Sequence, residues 1–386
     1  MIRGWCPSVY EPMATGDGLL VRVKPPGGRL TSAATRCLAR EAARFGNGII
    51  ELTSRGNLQI RGLQADGVAG FAAAMVAAGL ASADAGSERR RNVIALPLAG
   101  CDPTAASDAA ALASAIAAML EDEPALAGLP AKFEFAVDGG GVLGLSVPAD
   151  ITVRSDGAQH SIILNGEQAP CPFGASVGIA RDLAWLAGNR RMRECDAAAM
   201  FASVGLTPAR SATRPAPAAP VGFIAYAGTE RGAFGLGLPF GQTDAATLEH
   251  LADLAERFAD GTLRLSPWRT MLLGSVRSRD VAALRAAAGG LIVDASDRRL
   301  SMAACIGSAG CASGTVRARD DATTLASAGW TGFLHVSGCT KGCAHPAAAT
   351  ATLVGDGGSY NLVRHGRADA APSLTGLSLH QAGSSL

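Results

Sequence analysis

Residues 48–63 read GIIELTSRGNLQIRGL and residues 261–276 read GTLRLSPWRTMLLGSV. Both are rich in β-branched and aliphatic residues and read as strands, the first with a turn signal at Gly56-Asn57. Working outward from the first, GLLVRVK (18–24) is a strand, TSAATRCLAREAARFG (31–46) a helix opened by a Thr cap, and the alanine-rich run 69–81 a second helix. The same succession returns around the second stretch. FGLGLPFG starts at Phe234, the capped helix TDAATLEHLADLAERFADG at Thr243, and another alanine-rich helix at Asp280. With Gly48 set on Gly261, the repeat is far too long for a solenoid and indicates duplication of a half-molecule. Two such halves would pair about a pseudo-twofold axis, with a site at their junction.

Each small α/β unit is followed by a longer segment, and TPARSATRPAPAAP (207–220), too rich in Pro and Ala to bury anything, separates the copies. The expected fold class is α+β, a duplicated architecture of two ferredoxin-like half-domains and two larger α/β domains. Its expected limits are 1–84, 85–206, the linker 207–220, 221–290 and 291–386.

Bulk composition excludes several classes. With 386 residues, 48% of them hydrophobic, and a formal net charge of +1, the chain can build several cores and has no global bias toward nucleic acid. The uncharged run 67–83 is mostly alanine and glycine and reads as a helix within a globular domain rather than a membrane span. Nine cysteines, an odd number, and a start without a charged-then-apolar segment lead to the expectation of a reducing cytoplasm. Thiols that cluster in such a compartment more often bind metal than cross-link.

Four of the nine do cluster. CIGSAGC places Cys305 and Cys311, and CTKGC places Cys339 and Cys343, giving C-x5-C-x27-C-x3-C. A 4Fe-4S cluster needs four thiolates from loops whose glycines let the backbone approach, and Gly307, Gly310, Gly338 and Gly342 supply them. Structural zinc is the alternative, although zinc knuckles favour shorter gaps in both pairs. A thioredoxin-type C-x-x-C is absent from the sequence. His335 in GFLHVSG reads as a core or edge residue, and His345, just past the last cysteine, as a neighbour of the cluster loop.

A basic set accompanies the repeat strands: Arg22, Arg55 and Arg61 in the first copy and Arg264 and Arg269 in the second, with Arg91 and Lys132 from the first long segment. If strand alternation runs through the turn, Thr53, Arg55, Asn57 and Gln59 share one face. Such a face suits a carboxylate-rich ligand, which guanidinium groups grip bidentately.

These motifs together resemble the superfamily of sirohaem-dependent sulfite and nitrite reductases. The resemblance covers nearly the whole chain, and C-x5-C with C-x3-C is its cluster signature. It implies a 4Fe-4S cluster on Cys305, Cys311, Cys339 and Cys343. It also implies tetrapyrrole or anion binding by Arg22, Thr53, Arg55, Gln59, Arg91 and Lys132. One position departs, because the reductase pattern K-F-K reads Lys132-Phe133-Glu134 here. A carboxylate there would repel sulfite or nitrite. RGWCPSVYEPMATGDGLLVRV, RLSPWR, HVSGCTKGCAHP and YNLVRHGRADAAP are more similar to the branch that converts precorrin-3A to precorrin-3B in aerobic cobalamin biosynthesis.

That branch implies an O2-dependent monooxygenase with NADH as electron source. Precorrin-3A, a tetrapyrrole bearing carboxylates, would take the place of sirohaem, gripped by the same residues together with Arg264 and Arg269. Hydroxylation at C20 would be accompanied by γ-lactone formation. The branch further implies a mononuclear non-haem iron, for which Glu134, His335 and His345 are the candidates. No strand-linked G-x-G-x-x-G is present, so a separate electron-donating reductase is expected. The alternative is a sirohaem-dependent sulfite or nitrite reductase.

Overall fold

The computed structural model describes residues 6–210 and 220–386. Most of the expected linker at 207–220 lies outside the described residues, as do the first five positions. The first repeat forms β1 (Met13–Thr15), β2 (Gly18–Val23), β3 (Arg29–Thr31), α1 (Ser32–Phe45), β4 (Ile49–Leu52), β5 (Leu58–Leu63) and α2 (Val68–Ala77). Helix α3 (Ala85–Arg90) leads into a larger unit. It contains β6 (Val93–Ala95), α4 (Ala109–Asp122), β7 (Phe135–Asp138), β8 (Ile151–Ser155), β9 (His160–Leu164), β10 (Glu167–Cys171), α5 (Ser176–Ala187), α6 (Ala197–Ser203) and β11 (Ala209–Arg210).

The second repeat forms β12 (Gly222–Ala225), β13 (Arg231–Gly237), β14 (Gln242–Asp244), α7 (Ala245–Phe258), β15 (Thr262–Leu265), β16 (Thr270–Arg277) and α8 (Val281–Ala287). Its larger unit contains β17 (Met302–Ala304), α9 (Ala318–Leu325), β18 (Leu334–Ser337), β19 (Ala349–Asp356), β20 (Ser359–Gly366), β21 (Leu374–Leu377) and α10 (Leu379–Ser384). Among the described residues no helix is long and apolar enough to cross a membrane.

The two small sheets exchange an edge. One runs β1-β2-β5-β4-β14 and the other β12-β13-β16-β15-β3, so each ends on a strand donated by the opposite repeat. Antiparallel pairing sets Thr243 opposite Ile50 and Leu30 opposite Leu263. Helices α1 and α7 follow the donated strands and start alike, Thr31 accepting the Ala34 N–H at 3.2 Å and Asp244 that of Thr247 at 2.7 Å. Their apolar stripes, including Leu38, Ala42, Leu248 and Leu251, enter one core shared by both repeats. Across the helices Arg36 pairs with Asp253 and Glu256 at 2.7 Å each.

The two larger units share a strand order. In β6-β7-β8-β9-β10 and in β17-β18-β19-β20-β21, the first three strands are parallel and the rest antiparallel. Each unit has a core of its own, built on Phe133, Phe135 and Phe201 in one and on Trp330, Leu334 and Tyr360 in the other. Parallel strands leave their carboxyl ends together, the place where such sheets bind ligands.

The turn in the opening stretch departs from simple alternation. Thr53 N–H donates to Asn57 O at 2.9 Å, and Thr53 Oγ1 accepts from the N–H groups of Arg55 and Asn57. Gly56 sits at φ 66°, left-handed backbone open to glycine without penalty. Thr53 and Gln59 therefore line one cavity and Arg55 another, rather than all sharing a face. In the second repeat the matching position is Arg269 at φ 57°, a conformation a side chain adopts at a cost of about 1–2 kcal/mol.

Candidate functional site

Cys305 follows β17 directly and Cys339 follows β18, and because these strands are parallel neighbours their carboxyl ends bring both cysteine loops together. Gly338 N–H donates to Cys305 Sγ at 3.1 Å, while Gly338 O accepts the Thr315 N–H at 3.0 Å. A Cβ on Gly338 would come within 2.9 Å of Gly307 Cα, so glycine is required at this crossing. Lys341 Nζ, between the second pair of cysteines, donates to Ser313 Oγ at 2.8 Å and ties the loops a second time. The Cys343 thiol is pushed up by burial and then by Cys339, Cys305 and Cys311, so those three sulfurs lie within electrostatic reach of it. All nine cysteines are free.

The first repeat grips this loop from outside. Arg61 on β5 donates to Asp17 at 3.0 and 2.8 Å and to the Gly310 carbonyl at 2.7 Å, and Gly16 N–H reaches the same carbonyl at 3.1 Å. A Cβ on Gly310 would lie 2.9 Å from both Arg61 and Asp17. Burial alone would raise the Asp17 carboxyl, yet its hydrogen bonds from Arg61 hold it below the ordinary value. Arg61 also approaches Glu51 at 3.5 Å, and Glu51 binds Arg319 of α9 at 2.6 Å. A half-buried ion chain thus joins the first repeat to the cysteine-bearing unit.

A cavity of about 250 Å³ opens beside the thiols, lined by Cys305, Cys343, Glu51, Thr53, Gln59, Arg61, Arg269 and Arg319 among others. Arg269 donates to Ala344 O at 3.1 Å, next to Cys343, and its proton affinity is lowered by burial and by Arg319. A second cavity of about 660 Å³ takes over at Arg55, the residue after Thr53-Ser54 on the rim of the first. Lys132, Arg154, Arg191, Arg193 and Asp150 line it. Beside it Glu134, 3% exposed, pairs with Arg55 at 2.7 Å. Burial raises the Glu134 carboxyl, and Arg55 offsets part of that shift.

Several expected site residues lie elsewhere or apart. Arg91, 6% exposed, is spent on Glu88 at 2.8 Å and lines neither cavity. Arg264, 4% exposed, is spent on Asp260 at 2.9 Å, beside Cys101 and Tyr226. Each of these two pairs with a carboxylate of its own neighbourhood rather than facing either cavity. Arg22 lies across from Gln59 on β2, near Arg55 and Glu134, with Nε buried and without a hydrogen bond; burial lowers its proton affinity.

The three candidates for a mononuclear iron do not assemble. His335 and His345 face each other, ring centroids 5.7 Å apart, whereas Glu134 is held by Arg55. Among the described residues no three His, Cys, Asp or Glu side chains converge as single-ion ligands. His335 is fully buried with both ring nitrogens unpartnered, and burial, then His345 and Arg269, push it down to about 4.

Sequence reasoning missed Asp17, Glu51 and Arg319, whose partners are distant in the chain. It also missed Arg191 and Arg193, although the basic run RRMREC was a visible signal.

The duplicated half-domains and the paired larger units define a class, and the comparisons agree on it. The family described as nitrite/sulfite reductase ferredoxin-like half domain matches twice, at residues 11–78 and 227–290. The structure of the NirA protein of Mycobacterium tuberculosis superposes with a TM-score of 0.72, covering 95% of this chain and 79% of that one at 19% identity, a likeness of fold. Within that class, a precorrin-3B synthase of Sinorhizobium sp is 35% identical over 97% of this chain and 85% of its own length. A ferredoxin–nitrite reductase of Leptolyngbya laminosa is 32% identical but covers 35% of this chain and 27% of its own length. The chain belongs to the precorrin-3B synthase family.

Proposed function

We propose that the protein is an oxidoreductase converting precorrin-3A to precorrin-3B, with O2 as oxidant and NADH as electron source through a partner reductase. One oxygen atom enters the substrate at C20, with γ-lactone formation, and the other leaves as water with two electrons from NADH. The observation that carries this reading is a pair of cavities lined by consecutive residues, Ser54 on one and Arg55 on the other. One is lined by two of the four thiols and the other by five cations, on a chain related end to end to a precorrin-3B synthase.

The four cysteines fit a 4Fe-4S cluster: four thiols share two glycine-tied loops, and Gly338 N–H already donates to one sulfur. Such a cluster would supply one-electron relay. Around it the chain's own residues bind and orient. Thr53, Gln59 and Arg269 line the substrate's approach to the thiols, and Arg55 and Lys132 pair with its carboxylates. Glu134, raised by burial, is suited to hold a substrate proton beside Arg55. The residues suggested for a mononuclear iron do not fit one, and no step is assigned to it. We further propose the division 1–84, 85–206, 207–220, 221–290 and 291–386, supported by the sheets described above, and a cytoplasmic location, supported by the unpaired cysteines.

Anaerobic incubation with precorrin-3A, then air and mass analysis, tests the reading; a product heavier by one oxygen is expected. Sirohaem's red-region absorption with sulfite or nitrite turnover would establish the reductase reading instead. Zinc without iron or sulfide would remove the cluster.

A further inference from the structure

We propose that Arg154, Arg191 and Arg193, with Lys132, form a carboxylate-recognising wall for the peripheral acid groups of the substrate. This wall stands on the half of the molecule that lacks the Cys305–Cys343 set. The inference rests on the tetrapyrrole reading and adds to it where the substrate's acid edge lies and which side chains select it.

The cavity holding these cations, about 660 Å³, is more than twice the size of the one at the thiols. Its one lining carboxylate among the described residues, Asp150, is already satisfied. It accepts from Arg191 Nε and Met192 N–H at 2.8 Å and from Glu134 N–H at 2.9 Å, and it is 3% exposed. Asp150 therefore aims Arg191 rather than opposing an anionic ligand. Arg154 is fixed in the same manner, Nε on Asp138 at 3.1 Å and Nη1 on Gln168 at 2.9 Å. Both guanidinium groups are mostly buried, Arg191 held through Nε alone and Arg154 through Nε and Nη1, each with further N–H groups left over, so little rotamer freedom is lost when a carboxylate arrives. Lys132 and Arg193 make no side-chain hydrogen bond or ion pair among the described residues, and they line the same cavity.

Four cations spread over three separate chain segments exceed what one small oxyanion would engage. They match a ligand with several carboxylates around a rigid frame. Ser54 on the cavity at the thiols and Arg55 on this one are consecutive in the chain, so a macrocycle reaching across that turn would present its acid edge to the wall and its opposite edge toward Cys305 and Cys343.

An octacarboxylate porphyrin titrated into the iron-loaded protein, read by fluorescence quenching, tests this. Arg193→Gln is expected to weaken binding roughly 10-fold, about 1.4 kcal/mol, and Arg193→Gln with Lys132→Gln roughly 100-fold. Iron, sulfide and the unfolding midpoint should not change, and the porphyrin's octamethyl ester should not bind. Wild-type-like porphyrin affinity in both variants would overturn the wall and leave the tetrapyrrole reading standing. If the unaltered protein binds neither the porphyrin nor precorrin-3A, that reading itself fails. If NADH instead competes for the cavity and loses affinity in the variants, the wall serves a dinucleotide phosphate and the carboxylate assignment falls.

Discussion

The two larger units solve one problem in two ways. After β7, the loop at Gly139–Leu145 is tied to the loop after β6 by carboxylates. Asp102 accepts from Val142 N–H at 2.7 Å, and Asp138 accepts from Gly140 and Leu145 N–H at 2.9 Å. After β18, the corresponding loop faces Cys305 and Cys311 and carries Cys339 and Cys343 in place of such carboxylates. Even the backbone crossing is shared, Ala106 N–H to Gly139 O at 2.8 Å in one unit and Thr315 N–H to Gly338 O at 3.0 Å in the other. One duplicated frame thus closes its loops through carboxylates, and its twin closes them through backbone and Lys341 hydrogen bonds with four thiols alongside. The cations of the proposed wall lie on the first side and the four thiols on the other.

The largest effect should come from breaking the thiol side. Cys339→Ala is expected to lose most bound iron and sulfide and all substrate turnover, read by metal analysis and single-turnover assay. Asp102→Asn should instead keep the iron and cost about 1–3 kcal/mol of stability in denaturant unfolding. Equal iron loss in both variants would end the comparison.

Next comes the grip of the first repeat on the cysteine loop. Arg61→Ala takes the guanidinium from half-buried Asp17, while Glu51 keeps Arg319, and should cost about 1–3 kcal/mol. Cluster loss in air should be faster, which Asp17→Asn should share in smaller measure. Unchanged cluster lifetime in both would separate the ion chain from the loop.

A smaller contrast is set by pH. His335 on β18 occupies the strand position that buried Ala136 holds on β7. Its folded value near 4 lies below the ordinary 6.5. Between these values the unfolded chain takes up a proton that the folded chain refuses, so stability falls as pH drops through that window. His335→Ala should flatten that part of the pH–stability curve.

The smallest effect belongs to the repeat turns. Arg269→Gly would relieve left-handed strain of about 1–2 kcal/mol and lose the bond to Ala344 O, for a net change within about 1 kcal/mol. Substrate affinity, measured at equilibrium, should fall even where stability does not.

The repeat was legible because strand period, helix caps and chain order are local properties, and both copies kept Gly48-like starts and capped helices. The four cysteines were legible because their spacing survives without any fold. What stayed hidden depends on contacts between distant segments. The turn at Gly56 separated Arg55 from Thr53 and Gln59. Buried Glu88 and exposed Asp260 claimed Arg91 and Arg264, and no local pattern marks which carboxylate an arginine will meet. Glu51 reads as an ordinary polar strand residue until β14 and α9 arrive beside it.

The exchanged edges have a consequence for how the molecule is made. While the ribosome is still short of Thr262, β3 has no strand to complete, and β4 waits for Gln242 before its own edge is covered. The first repeat must therefore pass a stage with an open sheet edge, a known invitation to pairing with another chain. A gene split within 211–219 would yield two polypeptides that are insoluble when made singly and recover a common core when made together.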